Sequence, residues 1–519
     1  MQALTTTAGI LVALILIVAF RSPLMLVLVG LPVGIGILVG IMVTQALFGN
    51  VHGVALTFGG VLAGVAADYP IHLAGFRRDG ELPAMTSRRL SAPLMIGAGT
   101  TIAGLLALSQ SSFPGLAQIG TLSATAMLAA ALVSRWLLPY VTPAGTTIRM
   151  QGGAMVWQAL KDRRRLRHSM RWMAGVFAVC SIAAAIISPA PVWETDLSRL
   201  SVADAETKVL DRELRESLRL PDVSQLLLVE GDDAQSVLER QTALFPQLDR
   251  AVAEGRLGGY VAAAQLLPPV AEQMARRAVM PPPDILRQRI VDAVRELPVS
   301  ADTFQPFIAD IARHRDMAPL MPGDIAAGPA AAFFAAPWQM DDHWAGSIML
   351  IAPGALRTED VSGASLVDLR MVMKSLVTNY RNEALNWLAF GALMALAVLG
   401  IGLRKPNQIL HAAVPPVFAV IVTTALLIAS GISLNLFHIL ALLLVASIGV
   451  DYALFFPGYS AIHGDGSRAF QSISLCCITT VCVFAVLSFS SIPILSAIGM
   501  TVASGSAISF VLTLCFGED

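Results

Sequence analysis

Two carboxylates lie inside apolar runs that are otherwise suited to lipid, and they constrain the fold of this chain more than any other feature. One run reads GVLAGVAADYPIHLAGF and contains Asp68 and Tyr69; the other reads LLLVASIGVDYALFFPG and contains Asp451 and Tyr452. A charge at membrane depth costs about 2.5–3.5 kcal/mol on insertion scales, so it calls for a functional reason. Two such runs in matching context predict a repeated membrane protein with its charge chemistry at the repeat interface.

The composition agrees with a membrane protein. Of 519 residues, 55% are hydrophobic and 14% are charged, against about 25% charged in soluble proteins. Most of the apolar runs reach the roughly 20 residues that a spanning helix needs. We therefore predict about eleven spans, near residues 5–20, 24–48, 51–75, 90–109, 116–140, 172–190, 384–402, 410–431, 434–459, 470–490 and 494–516.

Basic residues follow every second run, which predicts the orientation. By the positive-inside rule their loops are cytoplasmic. The residues are Arg21, Arg77, Arg78, Arg88, Arg89, Lys161, Arg163, Arg164, Arg165, Arg167, Arg171, Arg404, Lys405 and Arg468. The polar block at 191–383 is then an extracytoplasmic domain. Residues 1–190 are predicted to hold the incomplete first membrane half plus the first span of the second half, and residues 384–519 the remainder of the second half.

Five spans of the first half repeat as five spans of the second half in the same direction, and the span near 172–190 is one more span of the second half. The offset of 383 residues between the Asp-Tyr pairs also maps Arg21 onto Arg404 and Pro32 onto Pro415. Beyond the carboxylates an offset of 379 residues maps Thr100-Thr101 onto Thr479-Thr480, because one cytoplasmic loop differs by four residues. A parallel repeat implies a pseudo-two-fold axis along the membrane normal.

The polar block is predicted to be a mixed α/β domain. Strand-length apolar runs at 225–229 and 346–352 lie near its two ends. The first precedes a helical pattern, and after the second helical periodicity is expected from about Val361. Strand–helix units at both ends predict a split β-α-β arrangement.

The carboxylates are the candidate site. Gly64 and Ser447 each lie one turn before an aspartate, and small residues there would let the two helices approach closely. Two adjacent buried carboxyls can load protons on one side and release them on the other. The alternative for the aspartates is a neutral interhelical hydrogen bond without transport.

Several neighbouring side chains are candidates for supporting roles. Tyr69 and Tyr452 offer hydroxyls to a proton relay, with packing or anchoring at the membrane interface as the alternatives. Thr100, Thr101, Thr479 and Thr480 offer further hydroxyls, with bonding to their own helices as the alternative. His72 shares a face with Asp68 and is either a relay member or an interfacial histidine near the cytoplasmic end.

Other classes of site receive no support from the sequence. The five cysteines lie in apolar runs without C-x-x-C or Cys/His ligand spacing, so they are predicted to be small core residues, with no metal or cofactor. The polar block contains no G-x-S-x-G, so we expect no enzyme. A net charge of −1 gives no reason to expect nucleic acid as a partner.

At these residues the chain resembles the MMPL branch of the resistance-nodulation-division (RND) exporters. The resemblance covers essentially the whole chain and rests on the two Asp-Tyr pairs, the five-span blocks flanking a large domain, and the matched FRSP and LRKP segments. The stretches ETDLSRLSVADAET and LRLPDVSQLLLVEGDDAQSVLER are similar to the "predicted exporter" group found beside bacterial fatty-acyl and aryl-polyene synthesis genes.

The resemblance implies twelve spans, two porter-like extracytoplasmic domains and export driven by proton influx, with Asp68, Tyr69, Asp451 and Tyr452 as the proton relay. The first motif departs from the usual GVGVDY because it reads AGVAADYP. The first span and first porter-like domain have no counterpart here, so we expect an N-terminally truncated chain.

The function expected from this resemblance is proton-driven export of a lipidic or fatty-acyl substrate across the bacterial inner membrane. The expected partners are that substrate and membrane lipids, with a homo-oligomer left open. The alternatives are a SecDF-like motor that pulls polypeptide across the membrane, and a lipid-sensing or scaffolding membrane protein that transports nothing.

Overall fold

The first helix of each predicted repeat ends in the same unusual backbone turn. In the computed structural model, Arg21 and Arg404 have φ angles of 50° and 60°. Each amide donates to the carbonyl four residues earlier, Ile17 at 2.7 Å and Gly400 at 3.2 Å. A left-handed residue is a common way to end a helix but is uncommon for side chains other than glycine. The offset of 383 residues therefore relates backbone geometry as well as residue types.

The structure describes residues 2–78, 80–143, 164–188, 191–194, 205–218, 222–326, 336–352, 356, 360–458 and 466–516. The chain forms two compact units, Met1–Val202 with Lys374–Asp519, and Ala203–Met373. We call them the membrane unit and the polar domain. The predicted boundary residue 190 and most of the ETDLSRLSVADAET stretch lie outside the described residues, as do Lys161 and Arg163.

The part of the membrane unit that precedes the polar domain is helical, and its last helix, Arg164–Ile187, packs against helices of the second half. Its helices are α1 (Gln2–Phe20), α2 (Leu24–Phe48), α3 (Gly53–Ala63), α4 (Asp68–Gly75), α5 (Pro83–Arg89), α6 (Ser91–Leu108), α7 (Pro114–Leu132), α8 (Leu138–Val141) and α9 (Arg164–Ile187). A 3₁₀ turn at Gly64–Ala67 joins α3 to α4, and a π turn at Val133–Leu137 joins α7 to α8.

The polar domain combines helices with one sheet. Its helices are α10 (Ala205–Ser217), α11 (Ala234–Ala253), α12 (Ala263–Leu266), α13 (Val270–Ala278), α14 (Pro283–Val294), α15 (Gln305–Asp316) and α16 (Pro322–Ala326). Its strands are β1 (Asp222–Gly231), β2 (Gly259–Ala262), β3 (Trp338–Met340), β4 (His343–Ile351) and β5 (Ser365–Asp368).

The second half of the membrane unit follows. Its helices are α17 (Leu369–Leu403, which begins in the polar domain), α18 (Pro406–Ala429), α19 (Leu436–Ala453), α20 (Gly466–Ser488) and α21 (Pro493–Phe516). A π turn at Leu454–Gly458 extends α19.

By length and composition, nine helical segments in the described part of the chain can cross a membrane. They are Leu24–Phe48, Gly53–Gly75, Ser91–Leu108, Pro114–Val141, Leu369–Leu403, Pro406–Ala429, Leu436–Phe456, Gly466–Ser488 and Pro493–Phe516. Two shorter apolar helices, Thr7–Phe20 and Trp172–Ile187, occupy the positions of the first and sixth predicted spans. The prediction of a multi-pass helical membrane protein with an α/β domain is confirmed.

The two halves pack alike. In the first half, α7 packs against α2, α3 and α6; in the second, the equivalent α21 packs against α18, α19 and α20. The first helices cross over. Helix α1 packs against α20, and α17 lies so close to α6 that a Cβ on Gly391 would stand 3.1 Å from the Cα of Gly104. The first helix of each five-span repeat therefore packs against a helix of the other half.

The sheet of the polar domain has the predicted split β-α-β topology. Its order is β2-β4-β1-β5, with β3 also paired to β4, and the paired strands are antiparallel. Strands β1 and β2 therefore run parallel on either side of β4. Asp233 begins α11 with a capping box, in which its carboxylate accepts the Ser236 amide at 2.6 Å.

The prediction that helical structure begins near Val361 is wrong about where the helix begins. Residues Ser365–Asp368 form β5 because Leu366 and Val367 pair with β1, and this tertiary pairing overrides the local helical pattern. Asp368 then accepts the amides of Arg370 and Met371 at 2.9 and 3.1 Å. The side chain caps α17, which explains why the helix begins only at Leu369.

Candidate functional site

The span that carries Asp68 is interrupted just before that residue. Proline at position 70 has no N–H to offer to the carbonyl of Ala66 and its ring crowds that carbonyl. The backbone responds with the 3₁₀ turn at Gly64–Ala67, and Asp68 opens the helix that follows. Departures of this kind from α-helix often mark functional positions.

The span that carries Asp451 is interrupted on the other side of its carboxylate. Helix α19 stays regular through Asp451 and Tyr452, and the π turn begins only at Leu454. The two carboxyls are close enough to interact electrostatically, and both also act on Tyr69. Each aspartate is only 3% exposed, so the structure brings the predicted pair into one buried cluster.

Each aspartate faces the other half of the repeat at a matched position. Oδ1 of Asp451 approaches Gly97 of α6 so closely that a Cβ there would stand 2.0 Å away. Asp68 faces the Cys476 thiol on α20, and the two groups interact electrostatically. Gly97 and Cys476 are equivalents at the offset of 379 residues. The two aspartates therefore contact equivalent positions of the opposite halves, as the repeat predicts.

All four residues predicted as the relay have a buried polar atom without a hydrogen-bond partner in the described part of the chain. These atoms are Oδ2 of Asp68, the hydroxyl of Tyr69, Oδ1 of Asp451 and the hydroxyl of Tyr452. An unpaired buried polar group costs about 1–3 kcal/mol, so four in one cluster are unusual. Such a cluster is suited to taking up protons or water.

The tyrosines are not interfacial anchors. Tyr69 is 1% exposed and Tyr452 is fully buried, so neither ring reaches a membrane surface. Of the alternatives for these residues, interface anchoring is wrong. A relay role and simple packing both remain compatible with their positions.

Three of the four candidate threonines bond to their own helices. Thr100 donates to the Gly97 carbonyl at 2.7 Å and Thr101 does so at 3.2 Å. Thr479 donates to the carbonyl of Cys476 at 2.9 Å. Thr480 is buried beside them. The threonines thus fix the backbone of the two residues that face the aspartates.

The role expected for Gly64 is wrong. Gly64 is exposed, and a Cβ there would meet no atom within 4 Å. The reason is the 3₁₀ turn, because at three residues per turn positions 64 and 68 lie about 120° apart rather than about 40°. Ser447 is buried and donates to the Leu443 carbonyl at 3.0 Å. In α19 the close approach falls instead at Gly449, against Pro416 and Ser509.

His72 is buried rather than interfacial, with 1% of its surface exposed. Its Nδ1 lies 2.9 Å from Oγ of Ser472, and its Nε2 lies 3.8 Å from Sγ of Cys476. Its ring stacks on Phe455 with centroids 4.0 Å apart and planes 14° from parallel. Phe455 is the repeat equivalent of His72, so the two equivalents meet each other in the buried interior of the membrane unit.

Two matched arginines hold the end of the Asp68 span. Arg89 donates to the Phe76 carbonyl at 2.7 Å, and Arg468 donates to the Arg77 carbonyl at 2.5 Å. Cations are favourable at helix C-termini, where carbonyls lack helical partners. Burial alone would raise the pKa of Glu81, but hydrogen bonds from the Arg89 side chain and the Arg78 amide hold it below its usual range. We call this the arginine end of the span.

Ser472 and Cys476 are site residues that sequence reasoning missed. Both lie on α20, some 400 residues from His72. A usable signal was their spacing, since Arg468, Ser472, Cys476 and Thr480 follow each other every four residues and so share a helix face. Within the described ranges, no group of three or more His, Cys, Asp or Glu side chains is placed to hold a metal ion.

Solved structures share this fold. Two crystal forms of a heavy metal efflux pump match with TM-scores of 0.56 and 0.54, each at 12% identity, covering 99% and 98% of this chain. The chain spans 66% of the length of each pump chain. The chain thus shares the fold of these pump chains over the part that it spans.

The family follows from the sequence. The model of the MMPL family matches residues 1–181, which include α1 to α8 and the Asp68 motif, so this part of the chain is similar to the MMPL family. The resemblance to MMPL proteins of the RND type is confirmed. No curated protein matches the chain.

Proposed function

We propose that this protein uses proton influx to export a lipidic or fatty-acyl substrate across the bacterial inner membrane, with Asp68, Tyr69, Asp451 and Tyr452 as the proton relay. The observation that carries the proposal is the pair of buried carboxyls, one from each half, each with an unpartnered oxygen. The MMPL match at residues 1–181 supports it, because members of this family are transporters rather than enzymes.

The contacts of the carboxyls support a way of coupling proton binding to movement of the two halves. Each carboxyl faces a helix of the other half, at Gly97 or at Cys476. Protonation removes charge at this interface, so the two halves settle into a different packing when a proton arrives and return when it leaves. The membrane potential supplies about 2.3 kcal/mol per proton per 100 mV. The polar domain, on the periplasmic side, would admit and release substrate as the membrane helices move.

The substrate class rests on the resemblance to the exporter group beside acyl and aryl-polyene synthesis genes. The known pump structures concern heavy metal efflux, which is a property of those proteins. A lipidic substrate suits a protein with several apolar helices that can cross a membrane, and it would reach the domain from the membrane itself.

The test replaces each relay carboxyl with its neutral isostere in proteoliposomes that report both lumenal pH and lipid export. We expect Asp451→Asn and Asp68→Asn each to abolish proton-dependent export, because a permanently neutral group cannot alternate between charge states. Asp292→Asn, at an exposed position of the polar domain, is the matched control and should export normally.

Each other outcome has a definite meaning. Export by both relay variants at the rate of the unmodified protein would refute the relay. A protein-secretion defect on deletion, without lipid accumulation, would favour the SecDF-like motor. Silent relay variants in a protein that never transports lipid would favour the lipid-sensing or scaffolding alternative.

A further inference from the structure

Four polar side chains form a column from the carboxyl pair toward the arginine end. Asp68 faces the Cys476 thiol, Cys476 lies 3.8 Å from Nε2 of His72, and Nδ1 of His72 lies 2.9 Å from Ser472. Ser472 is one helical turn from Arg468, which binds the Arg77 carbonyl. We call Asp68, Cys476, His72 and Ser472 the polar column.

The repeat equivalent of this column is apolar at every step but the first. Asp451 corresponds to Asp68, Gly97 to Cys476, Phe455 to His72 and Pro93 to Ser472. Glycine, phenylalanine and proline have no side-chain group that can accept and pass on a proton. The arginines at the ends of both columns match as well, since Arg89 corresponds to Arg468. The polar column and its repeat equivalent differ at three positions, and all three differences favour proton movement on the Asp68 side.

We propose that the carboxyl pair exchanges protons with the cytoplasm only through the polar column, so that Asp451 reaches the cytoplasm only by way of Asp68. Cys476, His72 and Ser472 are then conducting residues on one branch of a pseudo-symmetric site. This inference rests on the proposed function, because it describes the exit of the same relay.

The transfer along the column balances. The proton of the Asp68 carboxyl passes to Sγ of Cys476 as the thiol proton passes to Nε2 of His72. The Nδ1 proton of the imidazolium then passes to Oγ of Ser472, while the serine hydroxyl proton leaves toward the arginine end. Asp68 is left as a carboxylate, Cys476 and Ser472 regain one proton each, and His72 is neutral with its proton on Nε2. Tautomerisation of the neutral ring, which moves this proton from Nε2 back to Nδ1, restores the starting state.

The known neighbours of the His72 ring are the residues of the column and two phenylalanine rings. Asp68 is the titratable group on its own span, one turn away. Helix α20 presents Ser472 and Cys476 to the ring. The remaining neighbours of known ring geometry are Phe455, stacked at 4.0 Å, and Phe76 at 6.3 Å. Two phenylalanine rings therefore lie against the imidazole outside the column.

The test follows the carboxyl protons directly. The full chain is reconstituted in one orientation, with the arginine end outward, and the outer pH is raised rapidly while infrared absorption of the protonated carboxyls is recorded. The bands of Asp68 and Asp451 are assigned by their loss in Asp68→Asn and Asp451→Asn. We expect His72→Phe and Ser472→Ala to slow the decay of the Asp68 band by roughly a hundredfold, the usual effect of losing a positioned proton-transfer group.

The asymmetry provides a second readout. Asp68→Asn should slow the decay of the Asp451 band by a similar factor, whereas Asp451→Asn should leave the decay of the Asp68 band unchanged. Ser474→Ala and Cys482→Ala, on the same helix outside the column, are the matched controls and should keep the unmodified rates. Equal final amplitudes of the bands show that the variants retain the folded site.

Two results would overturn the inference. One is decay of the Asp68 band at the unmodified rate in both His72→Phe and Ser472→Ala; the other is decay of the Asp451 band at the unmodified rate in Asp68→Asn. Neither depends on export. A failure of the proposed function would be seen in a different experiment, as proton-dependent export by the Asp68→Asn and Asp451→Asn variants in proteoliposomes.

Discussion

Gly97 and Cys476 show how one residue position can do different work in the two halves. At Gly97 the absence of a side chain makes room for the Asp451 carboxyl, since a Cβ would stand 2.0 Å from Oδ1. At Cys476 the side chain itself meets Asp68. A pattern of polarity would not single out a glycine, so its importance comes from what it faces.

We expect Gly97→Ala to lower proton-driven export by about a hundredfold, because it displaces the Asp451 carboxyl and small misplacements at reacting groups have effects of this size. Gly60→Ala is the matched control, since a Cβ there meets no atom within 4 Å, and alanine is the better helix former. Both are compared in the proteoliposome assay and by thermal unfolding. Normal export by Gly97→Ala would show that the carboxyl does not depend on this contact.

The candidate site could be predicted only as far as local sequence reaches. Asp68 and Asp451 were found because a carboxylate in an apolar run is expensive, whatever it contacts. Ser472 and Cys476 were missed because their value depends on His72, some 400 residues away. Cysteine and serine in a membrane helix are ordinary residues until a partner is known.

At the scale of elements, the two carboxylate spans break their helices in different places. The first has a 3₁₀ turn at Gly64–Ala67, before Asp68, and the second has a π turn at Leu454–Gly458, after Tyr452. A 3₁₀ turn overwinds the chain and a π turn underwinds it, so each changes which residues share a face. The error about Gly64 came from assuming regular helix through a segment that precedes a proline.

The first turn of α11 offers a prediction about pH. Hydrogen bonding to the backbone N–H and hydroxyl of Ser236 holds the pKa of Asp233 below its usual value. A lowered folded-state pKa stabilises the fold above the unfolded-state pKa, and the gain is lost as pH falls through the folded-state pKa. Asp233→Ala should therefore speed amide hydrogen exchange at Ser236 near neutral pH.

The same comparison in acid should show a smaller difference, because the protonated carboxyl is a weaker cap. The neighbouring exposed Asp232 supplies the control, and Asp232→Ala should leave exchange at Ser236 unchanged at either pH. An effect of Asp233→Ala that grows as the pH falls would contradict this account of the cap.

At the scale of the whole membrane unit, the crossed first helices join the halves. Helix α1 packs on α20, and α17 packs on α6 through Gly391 and Gly104. The parallel repeat was predictable from offsets in the sequence, as was the α/β class of the polar domain. The crossing was not, because lipid-facing and helix-facing apolar residues look alike in sequence and packing between membrane helices depends on small residues and shape.

The crossing can be tested with a pair of glycines on one helix. Gly391→Leu should lower the free energy of unfolding by about 1–3 kcal/mol, the usual cost of overpacking, and so lower the unfolding temperature. The reason is that its Cβ would stand 3.1 Å from both Gly104 and Ala107. Gly400→Leu lies on the same helix where a Cβ meets nothing within 4 Å, so it should be neutral or slightly stabilising. Equal unfolding temperatures for the two variants would mean that α17 does not pack there.

The stacked pair of His72 and Phe455 bears on how the two repeated halves of this chain could have evolved. Two separate copies of one half, joined as a symmetric dimer, would have to place histidine against histidine or phenylalanine against phenylalanine at the point where the copies meet. A single polypeptide that contains both copies is released from that requirement. Joining the duplicated genes is what allows one copy to keep a basic ring and the other a hydrocarbon ring in the same contact.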